Sequence, residues 1–369
     1  MTLSQIEIQL IASVVAAACA LVGTFLVLRR MAMMSDAISH VVLLGIVLAF
    51  FITEDLQSPL LILGAALTGL LTVSLVELLN RTRLVKEDAA IGLVFPLLFS
   101  IAVILITRFA GNVHLDTDAV LLGELAFAPF DRMVLFGYDL MPKALFVMTI
   151  ILLAVLAFVV VFYKELKLAT FDAGLAAALG FAPALIHYAL MALVSVTAVG
   201  AFNAVGSVLV VALMIAPPAT AYLLTDRLPV MLGLGVLFGV LSAVGGYWLA
   251  ILLDASIAGS MATLTGAIFG LAFLFAPERG LVARAVRRVR QRREFAQTML
   301  AIHLLHHEGL PEADQESRVD HLHKELQWEP RFADEVVSGA VRTGLVVRLN
   351  GHLALTDRGR DTARKAMVT

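Results

Sequence analysis

The sequence predicts an all-α polytopic membrane protein with about eight or nine transmembrane helices, followed by a small polar α+β domain. Of its residues, 60% are hydrophobic and only 15% are charged, and the mean hydropathy is +0.93. A soluble domain is about half apolar and a quarter charged. The charged residues concentrate beyond position 278. We therefore expect a membrane domain at 1–278, a basic linker helix at 279–293 and a polar domain at 294–369.

Apolar runs recur along the first part of the chain, and a helix needs about 20 such residues to cross the hydrocarbon core. The second run is short, and the boundary between the runs near 200–224 is open. The predicted spans are 6–28, 39–53, 58–79, 89–108, 144–163, 184–203, 206–224, 229–253 and 259–276.

The distribution of basic residues predicts the orientation, because short cytoplasmic loops are rich in Lys and Arg. With nine spans, most basic loop residues fall on one side, which places the N-terminus outside and the C-terminal domain in the cytoplasm. The basic segment 279–293 is then expected to lie along anionic lipid head groups. The outer connection 109–143 is acidic, and we interpret it as a docking surface rather than a merely solvated loop.

A carboxylate and an imidazole lie at the start of the second apolar run, in RRMAMMSDAISHVVLLGIVLAF. Asp36 and His40 are four residues apart, so a helix places them on one face. Ionisable groups within a span are costly and normally mark an ion path, and both groups can bind first-row divalent metals. The alternative is that Asp36 caps the helix and His40 binds a neighbouring carbonyl.

Glu77 is a further candidate ligand near the end of the third span. Its carboxylate either adds to a metal path or pairs with Arg81 one turn later, and the helical spacing favours the pair.

A short helix is predicted between the fifth and sixth spans, in FDAGLAAALGF at 171–181. Asp172 is a suitable N-cap and Gly180 a suitable end. The segment is too polar at its start for a span and too apolar for a free loop. It therefore needs a groove, either in its own chain or in a partner.

RRMAMMSDAISHVVLLGIVLAF resembles the signature of the permease subunit of manganese, zinc and iron ABC importers. RTRLVKEDAAIGLVF, YKELKLATFDAGLAAALGF and GSVLVVALMIAPPATAYLL follow in the family's order. The resemblance implies a type II ABC importer fold in a bacterial cytoplasmic (inner) membrane, with Asp36 and His40 as the intramembrane metal pair. It also implies that 171–181 is the coupling helix that docks on the ATPase, through Phe171, Asp172, Ala173, Gly174, Leu175, Ala176 and Gly180.

The partners follow from the same resemblance. They are a separate ATPase, an extracytoplasmic metal-binding protein and a second permease chain, identical or different. The sequence has no G-x-x-x-x-G-K-[ST] phosphate loop, so ATP hydrolysis, if used, belongs to a partner. No permanent cofactor is expected. The cargo is a divalent metal, manganese first, with zinc or iron(II) as alternatives.

Two other functions compete with this interpretation. A gradient-driven secondary transporter would need no ATPase, but no charged relay runs through the later spans. A membrane-tethered regulator would use the spans only as an anchor, and nine spans exceed that need.

The C-terminal segment predicts three helices, then a hairpin at Asn350-Gly351 and a terminal helix. This order is that of a winged helix, and it resembles the DNA-binding domain of iron- and manganese-dependent repressors. The candidate recognition helix, EPRFADEVVSGAVRTG, carries more acidic than basic residues, which disfavours DNA binding. We therefore favour a protein-interaction or regulatory role.

Histidines cluster in the first helix of this domain. His303, His306 and His307 with Glu308 have helical spacing that, together with His321 and His323, suits a cytoplasmic metal sensor. Ordinary surface and core histidines are the alternative.

Overall fold

The computed structural model describes residues 2–54, 58, 60–109, 125–135, 138–311, 313–319, 321–322, 326–349 and 351–368. Within this part the chain forms two compact units, Met1–Gly280 and Leu281–Thr369.

The first unit is a bundle of long apolar helices. Nine helices in the described part are long and apolar enough to cross a membrane, which confirms the prediction of about nine candidate spans. They are α1 (Leu3–Leu28), α2 (Ala32–Thr53), α3 (Leu60–Arg81), α4 (Glu87–Phe109), α5 (Lys143–Val161), α8 (Pro183–Val205), α9 (Ser207–Leu224), α10 (Leu228–Leu253) and α11 (Ile257–Phe275).

The second span is longer than the apolar run indicates. Helix α2 begins at Ala32 rather than near residue 39. The hydroxyls of Ser35 and Ser39 donate to the carbonyls of Ala32 and Asp36, each at 2.8 Å. These bonds satisfy the polar side chains on the helix itself, so the helix continues through them.

Small residues allow the helices to approach closely. Gly45 of α2 faces Gly64 and Thr68 of α3, where a Cβ atom on Gly45 would overlap the Gly64 carbonyl and the Thr68 hydroxyl. Gly246 of α10 lies in the same way against Met261 of α11. Such contacts replace the hydrophobic effect as a packing force within lipid.

A short strand pair and two short helices connect the spans. Strands β1 (Arg132–Leu135) and β2 (Tyr138–Pro142) form an antiparallel pair with a register shift between Met133 and Val134. Arg132 donates to Glu7 Oε1 of α1 at 3.1 Å. Helices α6 (Tyr163–Phe171) and α7 (Ala173–Ala178) precede α8. Residues 110–124, which make up much of the predicted docking loop, lie outside the described part.

The second unit is a small α+β domain. It contains α12 (Leu281–His307), α13 (Ala313–Glu316), α14 (Pro330–Arg342), β3 (Val346–Leu349), β4 (His352–Leu355) and α15 (Asp357–Val368). Strands β3 and β4 pair antiparallel around Gly351, which has a φ of 88°, so the predicted hairpin is confirmed. Asn350 lies outside the described part.

Helix α12 is continuous across the predicted division at 293/294. The segment contains no Gly or Pro between 281 and 307, and Arg290 bonds Glu294 one turn later at 2.7 Å. The basic segment and the first tail helix therefore form one helix. Its buried face, including Leu300 and Leu304, packs in the core of the second unit with Val336 and Leu353.

Candidate functional site

Asp36 and His40 lie together on one face of α2. His40 Nε2 is 3.6 Å from Asp36 Oδ1. This distance exceeds the roughly 2.9 Å of a good hydrogen bond, but it is close to the spacing of two ligand atoms on one ion, about 3 to 3.5 Å for bonds near 2.1 Å. The pair can therefore accept a third atom between the two groups.

The surroundings of the pair are apolar on one side and open on the other. The His40 ring lies 5.6 Å from the Phe95 ring and 6.0 Å from the Phe99 ring, both of α4. The side chains of His40 and Asp36 are 30% and 40% exposed, whereas Ala37, Ile38 and most other residues of α2 are buried. The polar pair thus occupies the accessible side of a largely buried helix.

Asp36 does not cap α2. The N-cap position is Met31, which makes no capping hydrogen bond through its side chain, and Asp36 lies one turn further along. The capping alternative therefore does not describe this carboxylate.

Glu77 has other partners. Its Oε1 accepts from Arg81 at 2.7 Å, and its Oε2 accepts from the Tyr188 hydroxyl of α8 at 2.6 Å. Both carboxylate oxygens are thus engaged. The structure has the Arg81 pair that the spacing favours, and it adds Tyr188, which no sequence pattern indicated.

A second polar cluster lies where α1 ends. Arg29 donates through Nε to the Thr170 hydroxyl of α6 at 3.2 Å, and its Nη1 lies 3.1 Å from His187 Nδ1 of α8. Burial lowers the pKa of the Arg29 guanidinium to about 10, so this side chain stays charged at neutral pH. In the sequence, Arg29 is only one of several basic loop residues, and its contacts involve positions more than 100 residues away.

The segment 171–181 forms the predicted short helix. Asp172 is the N-cap of α7, and its Oδ1 accepts from the Leu175 backbone amide at 2.8 Å. Gly180 follows the helix with a φ of 86°, a conformation that glycine adopts without strain. Ala176 is buried, while Phe171, Leu175 and Leu179 are 60%, 47% and 61% exposed. Ala173 and Gly174 belong to the first turn.

The histidines of the second unit do not assemble as the sequence indicates. His303 and His307 are neighbours, with ring centroids 4.8 Å apart, but His306 is exposed. Glu308 bonds Arg360 of α15 at 2.7 Å. Glu316, which the sequence did not indicate, takes the acidic position beside His303 at 3.3 Å, and His321 lies 3.3 Å from the same carboxylate oxygen. His323 lies outside the described part.

The bundle of apolar helices and the accessible acid–imidazole pair place this protein in a general class. It is a multi-pass helical membrane protein with a polar site inside a span. The family is narrower than this class. Residues 5–276 match the model of the ABC 3 transport family, and the chain belongs to this family.

Individual relatives agree with this assignment. The chain is 48% identical over 358 residues to the zinc transport system membrane protein TroD of Treponema pallidum, covering 97% of each chain. It is 50% identical over 282 residues to the manganese transport system membrane protein MntD of Bacillus subtilis, covering 76% of this chain and 95% of that one. A match over 97% of both chains includes the second unit, so the treponemal protein shares that unit.

A solved structure has a similar fold. The structure described as PsaBC from Streptococcus pneumoniae in complex with Fab matches with a TM-score of 0.64 and 29% sequence identity. The match covers 76% of this chain and 94% of that chain.

Proposed function

We propose that this protein is the permease subunit of an ATP-driven importer of divalent metal, and that Asp36 and His40 bind the metal during its passage. The observation that carries the proposal is the 3.6 Å approach of an acid and an imidazole on the accessible side of a membrane span. An ionisable residue at the centre of a span costs about 2.5–3.5 kcal/mol on insertion scales. A passing cation offsets this cost, because both groups are ligands for it.

A second permease chain completes the path. Asp36 and His40 are too exposed to face hydrocarbon at low cost, since polar groups in lipid are normally turned towards protein or water. The opposing face of another permease chain, identical or different, would cover them and supply further ligands. The two helices that carry the pair and its aromatic neighbours, α2 and α4, would then lie near the dimer interface.

Replacement of the pair tests the proposal. Asp36→Ala and His40→Ala should each abolish uptake of radioactive manganese or zinc in cells that also express the ATPase and binding protein, while the amount of protein in the membrane stays unchanged. Glu54→Gln is a matched control. It removes a carboxylate just beyond the end of α2, about 21 Å along the helix axis from His40. Normal uptake by both alanine variants would refute the metal path.

The segment 171–181 couples the permease to its ATPase. In support, the exposed apolar side chains of Leu175 and Leu179 lie one turn apart and form a ridge at the end of α7, and Phe171, the exposed last residue of α6, precedes the N-cap. An apolar ridge of this kind is stable in water only when a partner covers it. Ala176 packs inward and fixes the ridge, and the cap by Asp172 and the turn at Gly180 set its two ends.

A charge on this ridge should separate the permease from the ATPase. Leu175→Glu should abolish co-purification with the ATPase subunit and abolish uptake, because it would bury an unpaired carboxylate in the interface. Ala177→Glu, an exposed position on the same short helix, is the comparison and should retain more of the complex. Equal co-purification of wild type and Leu175→Glu would place the ATPase elsewhere.

The cargo is a first-row divalent ion, since one carboxylate and one imidazole suit manganese, zinc and iron(II) alike. The relatives named as manganese and zinc transport proteins favour those two ions. An extracytoplasmic binding protein would deliver the ion and dock on the outer connection around 109–143. The orientation that follows has the N-terminus outside and the second unit in the cytoplasm.

We further propose that residues 294–369 form a winged helix with a regulatory role. The order of three helical segments, a hairpin and a final helix supports this, as does the sequence resemblance to metal-dependent repressors. DNA is not the favoured ligand, because α14 carries Asp334 and Glu335 against Arg331 and Arg342. A protein partner is a better match for this balance of charge.

A further inference from the structure

The second unit brings three potential metal ligands close together and places a fourth, His321, beside one of them. His303 and His307 lie one turn apart on α12, Glu316 lies at the end of α13, and His321 follows five residues later. Ligand atoms of His303, His307 and Glu316 all lie within 4.8 Å of one another. His303 Nε2 and His321 Nδ1 are each 3.3 Å from the same carboxylate oxygen, Glu316 Oε2.

These two distances fit two ligands of one shared ion better than they fit hydrogen bonds. A good N–H···O hydrogen bond measures about 2.9 Å, and Glu316 Oε2 and His321 Nδ1 make none in the described part of the chain. In a tetrahedral zinc site with bonds of about 2.0–2.1 Å, neighbouring ligand atoms are about 3.3 Å apart. The two measured separations match that tetrahedral edge.

The environment also favours a bound cation. The side chains of His303, Glu316 and His321 are only 12%, 15% and 24% exposed. A carboxylate oxygen held away from water costs free energy unless a charge or donor satisfies it. A divalent ion would satisfy Glu316 and three imidazoles together, whereas the exposed His306 on the same helix lies outside the group.

We propose that His303, His307, Glu316 and His321 form a metal site for zinc or a similar first-row divalent ion. The site is separate from the Asp36 and His40 path. Because its ligands come from α12, from α13 and from the segment after α13, a bound ion ties these elements together. The chemistry differs from that of the path: three nitrogens and one oxygen favour zinc and cobalt over manganese.

Cobalt(II) is a suitable probe, since tetrahedral nitrogen and oxygen ligands give it a strong visible absorption. The experiment uses the full-length protein in detergent carrying Asp36→Ala and His40→Ala, so that the transport path contributes no signal. One equivalent of cobalt should bind with this absorption and should be displaced by zinc. Glu316→Gln and His307→Gln should each weaken binding at least about tenfold, whereas His306→Gln should bind as the parent does.

Hydrogen exchange provides a readout that needs no substitution at the site. Zinc should slow amide exchange across 303–322 in the parent and leave α15 largely unaffected. Circular dichroism without metal identifies any variant that has lost its fold. The proposal is overturned if the parent shows neither cobalt absorption nor zinc-dependent protection. It is equally overturned if a folded double variant, Glu316→Gln with His307→Gln, binds as tightly as His306→Gln.

Discussion

Asp36 and Glu77 are both carboxylates in membrane helices, but their surroundings give them different properties. Glu77 has a hydrogen-bond donor on each oxygen, from Arg81 and from Tyr188, so its charge is satisfied within the chain. In the part of the chain that the structure describes, Asp36 pairs with His40, at a distance that leaves room for an ion. Transient metal binding needs this second kind of site, because a fully satisfied carboxylate would have to break strong bonds to accept a ligand.

At the scale of single residues, Glu308 leads to a prediction about how stability depends on pH. The hydrogen bond from Arg360 lowers the pKa of the Glu308 carboxyl below its usual value of about 4.5. A lowered folded pKa stabilises the second unit at pH above the unfolded pKa, and this stabilisation is lost as the pH falls through the folded pKa. Acidification from pH 6 through the usual carboxyl range should therefore lower the protection factors of the α15 amides in wild type, that is, their slowing relative to the intrinsic exchange rate at the same pH.

Glu308→Gln separates this pair from other acid effects. The variant should show lower protection factors than wild type at pH 6, and the difference between the two proteins should shrink as the pH falls through the pKa of the folded Glu308 carboxyl. The effect is modest, because the Glu308 side chain is 41% exposed and solvent screens the pair. A difference that grows on acidification would contradict this assignment.

Helix α2, which carries Asp36 and His40, packs closely against α3. Gly45 follows His40 by little more than one turn, and any side chain there would meet the carbonyl of Gly64. Because backbone cannot move aside as a side chain can, Gly45→Ala should push the two helices apart. Overpacking of this kind typically costs about 1–3 kcal/mol. The variant should unfold at a lower temperature in detergent and transport metal more slowly.

Gly266→Ala in α11 is the matched control for this prediction, since nothing in the described part of the chain lies within 4 Å of a Cβ atom there. It should unfold at the wild-type temperature. If Gly45→Ala unfolded no earlier than Gly266→Ala, close α2–α3 packing would not be needed for stability.

The elements differ in how far the sequence predicts them. Spans and the hairpin follow from local patterns, so α10 and β3–β4 lie close to the predicted positions. The start of α2 was wrong, because hydropathy counts Ser35 and Asp36 as breaks although serine hydroxyls can bond within a helix. The strand pair β1–β2 was not predicted, since the Phe136-Gly137 connection is not one of the dipeptides that strongly indicate a hairpin. Local patterns also do not indicate that α12 continues through a change in composition.

At the scale of the whole molecule, the sequence could not predict sites whose residues come from distant segments of the chain. The Asp36 and His40 pair depends on one helical turn, and spacing alone brought it together. The group of His303, His307, Glu316 and His321 depends on how the chain folds back after Gly309, so the sequence named the three histidines but gave Glu308 as the acidic residue in place of Glu316. Arg29, Thr170 and His187 come from three separate segments, and no single stretch of sequence indicates their contact.

The division of the chain at Gly280 leads to a prediction about the whole molecule. Arg279 ends the first unit by stacking over the Tyr222 ring at 4.4 Å, donating to the Tyr222 carbonyl and pairing with Asp226. A chain that stops after Gly280 keeps these contacts and the whole helical bundle. It should insert, assemble with the ATPase and take up metal. If the second unit regulates transport, uptake should then no longer respond to the metal already inside the cell.

A shorter truncation provides the comparison. A chain that stops after Ala276 loses Arg279 and leaves the end of α9 without its cation–π contact, which contributes about 0.5–1 kcal/mol at an exposed site. It should unfold at a lower temperature than the chain ending at Gly280, although both lack the second unit. Radioactive metal uptake and thermal unfolding in detergent measure the two effects separately. Loss of uptake in the longer truncation, with normal insertion, would mean that the second unit is part of the transport machinery itself, because the bundle alone could not complete the cycle.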